Sequence, residues 1–164
     1  MVTNFHELYQ KYAQDVYRFA YWLCGNAQDA EDITSETFVR ALTSSGEIRN
    51  ETVKGYLLTI ARNLAYKRSN REQRFVPLGM NLQENGDQPA MLVENSTSAQ
   101  TAMQFIQTLP EVDRAALILR YQDDLSYEEI AGILNISLSA AKVKVHRARL
   151  KLTEYMQAQE ERQP

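Results

Sequence analysis

Apolar residues recur every three or four positions from Phe5 through Leu8, Tyr9, Tyr12, Val16, Phe19 and Ala20 to Leu23, the repeat of one face of an α-helix. Gly25 and Asn26 interrupt it. A second stripe, Ala30, Ile33, Thr37, Phe38 and Ala41, ends at the Thr43-Ser-Ser-Gly46 cluster. After a polar loop reaching to about Thr52, a third stripe follows with Val53, Tyr56, Leu57, Ile60, Ala61 and Leu64. Three helices of this length can close a small bundle. Between positions 75 and 98 the repeat is lost, and Pro77, Gly79, Asn81, Asn85, Gly86, Pro89, Asn95 and Ser96 punctuate a stretch with three acids and no base. That composition predicts a linker. Helical signals resume at about Ala99, and a helix carrying Val112, Ala115, Ala116 and Leu119 is predicted to begin near Pro110, a residue type favoured in a first turn. Ser126-Tyr-Glu-Glu129 reads as a capping box for a short helix through Ile130, Ala131, Ile133 and Leu134. The Asn135-Ile-Ser137 step then leads into a last helix, from about Leu138 towards Gln157, with Val145, Ala148 and Leu152 on its core side. The predicted fold is all-α: two small helical domains, residues 1–74 and 99–164, joined by a flexible linker at 75–98, the C-terminal domain being a helix-turn-helix.

Charge changes this picture more than composition does. The 164 residues hold 18 Lys and Arg against 21 Asp and Glu, a net charge of −3, which alone argues against a nucleic-acid partner. The distribution is uneven. Positions 62 to 74 carry Arg62, Lys67, Arg68, Arg71 and Arg74 against Glu72, and positions 142 to 151 carry Lys142, Lys144, Arg147, Arg149 and Lys151 with no acid. With these islands of +4 and +5 set aside, the remaining chain has a charge of −12. Either island alone reads as a solvated helix face, and two of them on one short acidic body raise the case for a phosphate-facing role.

In the unit between Ser126 and Leu152, the second helix would enter the major groove with Lys142, Val143 and His146, while Lys144, Arg147 and Arg149 reach the backbone at its edges. A charged helix pair without DNA is the competing reading. On the second helix Asp29, Asp32 and Glu36 fall three and four apart, with Glu31 beside them. The stripe is open to three readings: acid/base chemistry, an ordinary charged surface, or a dock for a basic partner. No His, Cys or nucleophile accompanies these acids, so no enzymatic site is expected.

Other signals exclude classes. No run approaches the roughly 20 apolar residues of a membrane span, so no membrane insertion is expected. The first ten residues lack the pattern of a secretory signal. The single cysteine cannot form a disulfide within the chain, and His6, Cys24 and His146 match no zinc spacing. The expectation is a cytoplasmic protein without metal or cofactor.

Taken in order, Asp15-Val-Tyr-Arg-Phe19, Asp29-Ala-Glu-Asp-Ile-Thr-Ser-Glu-Thr-Phe38, Ile60-Ala-Arg-Asn-Leu-Ala65, Leu109-Pro110 with Arg114, Leu125-Ser-Tyr-Glu-Glu-Ile-Ala131 and Lys142-Val-Lys-Val-His-Arg-Ala-Arg149 resemble the bacterial RNA polymerase sigma factors, in particular the two-domain extracytoplasmic-function (ECF) group. The resemblance implies that Asp29, Asp32, Glu36 and Phe38 bind the beta-prime clamp of core RNA polymerase, with the beta flap as a further contact. It implies that the N-terminal domain melts the minus-ten promoter element, the loop at about 44–52 capturing a flipped base and Arg62, Asn63, Lys67 and Arg71 forming a basic wall beside it. The C-terminal domain would read the minus-thirty-five element as duplex through Lys142, Val143, Lys144, His146, Arg147 and Arg149. A linker of this family passes through the polymerase cleft, and an anti-sigma factor commonly holds such proteins inactive. The chain departs from the family pattern at Tyr56, where tryptophan is usual, at Ala140, where threonine commonly contacts phosphate, and at Val143, which replaces a usual serine. The alternative reading is a stand-alone helix-turn-helix regulator, which leaves the first island and the acidic stripe unused.

Overall fold

The computed structural model describes residues 5–43, 52–75 and 97–162, and the side chains of all of these except 71–75. The predicted loop at 44–51 and almost all of the predicted linker, residues 76–96, lie outside the described residues. The chain divides into two compact units, one within residues 1–92 and the other within 93–164. Among the described residues there are helices and no strand.

In the first unit α1 (Phe5–Cys24), α2 (Ala27–Thr43) and α3 (Val53–Phe75) each pack on the other two. Their ends follow local chemistry. Gly25 takes a left-handed φ of 76°, a turn that costs glycine nothing because it has no Cβ, and this stops α1. Asn26 then caps α2: its Oδ1 accepts from the Asp29 backbone N–H at 2.8 Å while its Nδ2 donates to Asp29 Oδ2. Thr52 caps α3 in the same way, its Oγ1 accepting from the Gly55 N–H at 3.0 Å. Val16, Phe19, Ala20, Ile33, Phe38, Leu57, Leu58 and Ala61 are fully enclosed. Each large side chain among them contributes about 1.5–3 kcal/mol by leaving water. Thr34 and Thr37 are buried too, and each hydroxyl donates to a carbonyl one turn back, Ala30 and Ile33, so no polar atom is stranded.

The core face of α3 differs from the predicted stripe. Leu58 and Ala65 are buried, whereas Tyr56 and Ile60 are only half-buried. At about 100° per residue, Leu57, Leu58, Ala61, Leu64 and Ala65 form one continuous face, and the partner helices chose it over the neighbouring line through Tyr56 and Ile60. On α1, Phe5 and Tyr9 are likewise 44% and 41% exposed, and the core begins at Ala13.

Tyr17 and Tyr21 are buried on α1. Burial raises both phenol pKa values, and the nearby Glu31 carboxylate adds to the rise at Tyr17. A raised folded-state pKa stabilises the fold below the unfolded value of about 10, and that contribution is lost as pH climbs through the folded value. Thermal stability should therefore fall as pH rises above about 10, and the Tyr17→Phe/Tyr21→Phe double variant should fall less steeply. An identical alkaline slope in the two proteins would contradict the assignment.

The second unit contains α4 (Thr97–Ile106), α5 (Glu111–Tyr121), α6 (Tyr127–Leu134) and α7 (Leu138–Arg162). Pro110 sits at the N-cap of α5, one position before the predicted first turn, and Glu111 and Asp113 supply negative charge to that helix start. The Arg114 guanidinium turns back from α5 and donates to the carbonyls of Ile106, Gln107 and Leu109 at 3.0–3.1 Å, closing the end of α4. The rings of Phe105 and Tyr155 stack at 4.8 Å and join α4 to α7. None of the described helices is long and apolar enough to cross a membrane.

Candidate nucleic-acid interface and docking face

The helix-turn-helix is built by three caps. Ser126 and Glu129 form the reciprocal capping box that opens α6, as read from sequence. Asn135 ends α6 in the left-handed region, φ 55°, and the Ile136 N–H closes on the Ala131 carbonyl at 3.1 Å. This is the helix-ending arrangement that usually takes glycine, and asparagine is among the residues that tolerate it. Ser137 then caps α7 by accepting from the Ala140 N–H. Three residues thus reverse the chain. Before α6, Arg120 lies over the Tyr127 ring at 4.4 Å and donates to the Leu125 carbonyl at 2.9 Å, which pins the preceding turn.

On α7, Ala141, Val145 and Ala148 face the core at 0–1% exposure, and Leu152 is half-buried. Lys142, Val143, His146, Arg147 and Arg149 are exposed. Lys144 is different. Its ammonium lies 3.1 Å from the Asp113 carboxylate of α5, so it ties α7 to α5 within the unit. Of the six residues assigned here from sequence, five share the open side of the helix and Lys144 sits at its margin.

On α3, the open side carries a shallow depression of about 290 Å³ lined by Arg40, Ile60, Arg62, Asn63, Tyr66 and Lys67. Arg62 donates to Asn63 Oδ1 at 3.1 Å and lies 5.2 Å from the Tyr66 ring centre. Three of the four residues assigned from sequence, Arg62, Asn63 and Lys67, come together here, and the side chain of Arg71 lies outside the described residues. Sequence reasoning missed Arg40, which arrives from the end of α2. Three cations, an amide and an aromatic ring around one shallow site can hold a phosphate and stack a base.

The acidic stripe of α2 is partly neutralised from within. Arg68 of α3 reaches Asp29 at 3.0 Å and Asp32 at 3.3 Å, and Arg40 pairs with Glu36 at 3.0 Å. Asp32 and Glu36 remain about half exposed, at 53% and 43% of their side-chain area. Phe38 does not belong to this face. It is 1% exposed and packs under Tyr9 and Phe5, with ring centres 5.0 and 6.5 Å away. Nine helical residues after Asp29 is a rotation of about half a turn, so Phe38 lies on the core side of α2, behind the stripe. Among the described residues no group of three or more His, Cys, Asp or Glu is arranged to hold a metal ion.

Comparison with known proteins covers both units. The Sigma-70 region 2 family model matches residues 8–75, and the Sigma-70 region 4 model matches residues 99–152. The chain is 33% identical over 162 residues to the ECF RNA polymerase sigma factor SigE of Mycolicibacterium smegmatis, covering 94% of this chain and 62% of that protein's length. It is 31% identical to the RNA polymerase sigma factor YlaC of Bacillus subtilis, covering 93% of this chain and 92% of that one. Among solved structures it is similar to the sigma factor RpoE of Bartonella quintana, crystallised with the anti-sigma factor NepR, with a TM-score of 0.79, 26% identity and 95% and 98% of the two chains covered.

Proposed function

The chain belongs to the ECF group of bacterial RNA polymerase sigma factors, and from that membership we propose a division of labour between its two units. The protein directs core RNA polymerase to a restricted set of promoters and starts transcription there. It has no catalysis of its own and works in the cytoplasm. The N-terminal unit docks on the polymerase beta-prime clamp through the exposed carboxylates of Asp32 and Glu36, with Asp29 and Arg68 holding the stripe in place. The depression formed by Arg62, Asn63 and Lys67 with Arg40 and Tyr66 holds the single-stranded minus-ten element. The C-terminal unit docks on the beta flap and binds the minus-thirty-five element as duplex through Lys142, Val143 and His146, with Arg147 and Arg149 on phosphates. Lys144 supports that helix through Asp113. An anti-sigma factor, the kind of partner present with the Bartonella relative, covers one or both surfaces when the protein is inactive.

The observation that carries the docking assignment is the half-exposure of Asp32 and Glu36 beside a buried, well-packed helix face. Both acids keep charge available to a basic partner although Arg68 and Arg40 lie within ion-pair distance. Exposed ion pairs of this kind contribute only about 0–1 kcal/mol, so a partner can compete for the carboxylates. Asp32→Arg should weaken binding to purified core polymerase tenfold or more while leaving the melting curve nearly unchanged. Unaltered polymerase affinity in a folded Asp32→Arg protein would place the dock elsewhere.

A further inference from the structure

Val143 occupies an odd place for its chemistry. It is an apolar side chain, 44% exposed, in the second turn of α7, at the start of the stretch 142–151 that carries five bases and no acid. Taking about 100° per residue from the buried Ala141, Val143 points about 200° away, opposite the line through Ala141, Val145 and Ala148. Lys142 and Arg147 lie to either side of it, and the exposed Ser139 and His146 lie about one turn before and after it, so Val143 is an apolar side chain set outward among polar and cationic ones.

In a docked helix-turn-helix the N-terminal part of the second helix enters the major groove. Arg147 on one flank then faces a phosphate wall, Lys142 on the other lies within the groove beside the bases, and Val143 between them faces the floor. A valine has no donor or acceptor, so it cannot read the hydrogen-bonding edges of purines or cytosine. The one apolar feature on that floor is the C5 methyl group of thymine. Contact with it removes apolar surface of both partners from water, whereas contact with a polar edge would leave base groups without water or a partner. We infer that Val143 selects thymine at one position of the minus-thirty-five element, through its methyl group. This rests on the reading of the C-terminal unit as the duplex-binding domain, and goes beyond it by assigning one residue to one base.

The test uses the full chain assembled with core polymerase on a duplex promoter fragment in which each upstream thymine, on either strand, is replaced in turn by deoxyuridine. That replacement deletes only the methyl group. At one position the unsubstituted protein should bind about fourfold more weakly, the loss of roughly one buried methyl contact. The Val143→Ser protein should bind the thymine duplex more weakly by a similar factor and be indifferent to deoxyuridine at that position. Its affinity for core polymerase should be unchanged, which separates this effect from misfolding. The inference is overturned if no deoxyuridine position matters, or if the same position costs both proteins equally. If the assembled polymerase binds no promoter duplex at all, the duplex-binding reading itself fails.

Discussion

Phe38→Ala is expected to cost the N-terminal unit about 3–5 kcal/mol, the range for emptying a fully buried aromatic site. Phe38 is 1% exposed and supports Phe5 and Tyr9 from below, so its removal leaves a void that exposed neighbours only partly fill. Against a total stability of about 5–15 kcal/mol, that loss would leave the unit marginal. The single tryptophan, Trp22, lies on α1, so its fluorescence during urea unfolding reports this unit. The midpoint should drop sharply, while the variant that remains folded at low temperature should bind core polymerase as the unaltered protein does. A small stability change together with lost polymerase binding would instead mean that Phe38 meets the partner directly.

The second large effect concerns Arg114. One guanidinium serves the carbonyls of Ile106, Gln107 and Leu109 at the turn between α4 and α5, where the Ile106 carbonyl also accepts from the Leu109 N–H at 3.1 Å. Hydrogen bonds to a charged group contribute about 1.5–3 kcal/mol each, but three from one side chain do not add fully. Arg114→Ala should therefore destabilise the C-terminal unit by about 2–4 kcal/mol. The change should appear as a shifted far-UV circular dichroism transition with Trp22 fluorescence unaffected. Arg114→Lys should restore less than half, because an ammonium cannot span three carbonyls in a fixed fork. Full restoration by lysine would show that charge, and not the planar geometry, holds the turn.

These two residues also mark where sequence reasoning reaches its limit. The caps were legible: Ser126 with Glu129, the stop at Gly25 and Asn26, and the reversal at Asn135 all depend on residues within a few positions of one another. The open face of α7 was legible for the same reason, since a helix repeats its directions every 3.6 residues. What failed depended on distant partners. Residues 56 to 61 of α3 are apolar nearly all round, so periodicity could not say that Leu58 would be buried and Ile60 left to line the depression. Arg68 meets acids 36 and 39 positions away, and Lys144 meets Asp113 at a separation of 31, pairings that no spacing rule anticipates. Phe38 was grouped with Asp29, Asp32 and Glu36 by the family resemblance, which says nothing of the rings of Phe5 and Tyr9, about 30 positions away, that cover it. Arg40 was within reach of reasoning: it stands four residues after Glu36, the spacing at which opposite charges pair on a helix.

The most direct test of the central claim is transcription of fragmented genomic DNA from the source organism by purified core polymerase, with and without this protein, mapping the 5′ ends of the RNA. The account predicts new starts in the presence of the protein, sharing two upstream elements, and their loss with Asp32→Arg. A folded protein that binds duplex DNA yet gives active core polymerase no new starts would contradict it and leave a stand-alone helix-turn-helix regulator as the better description.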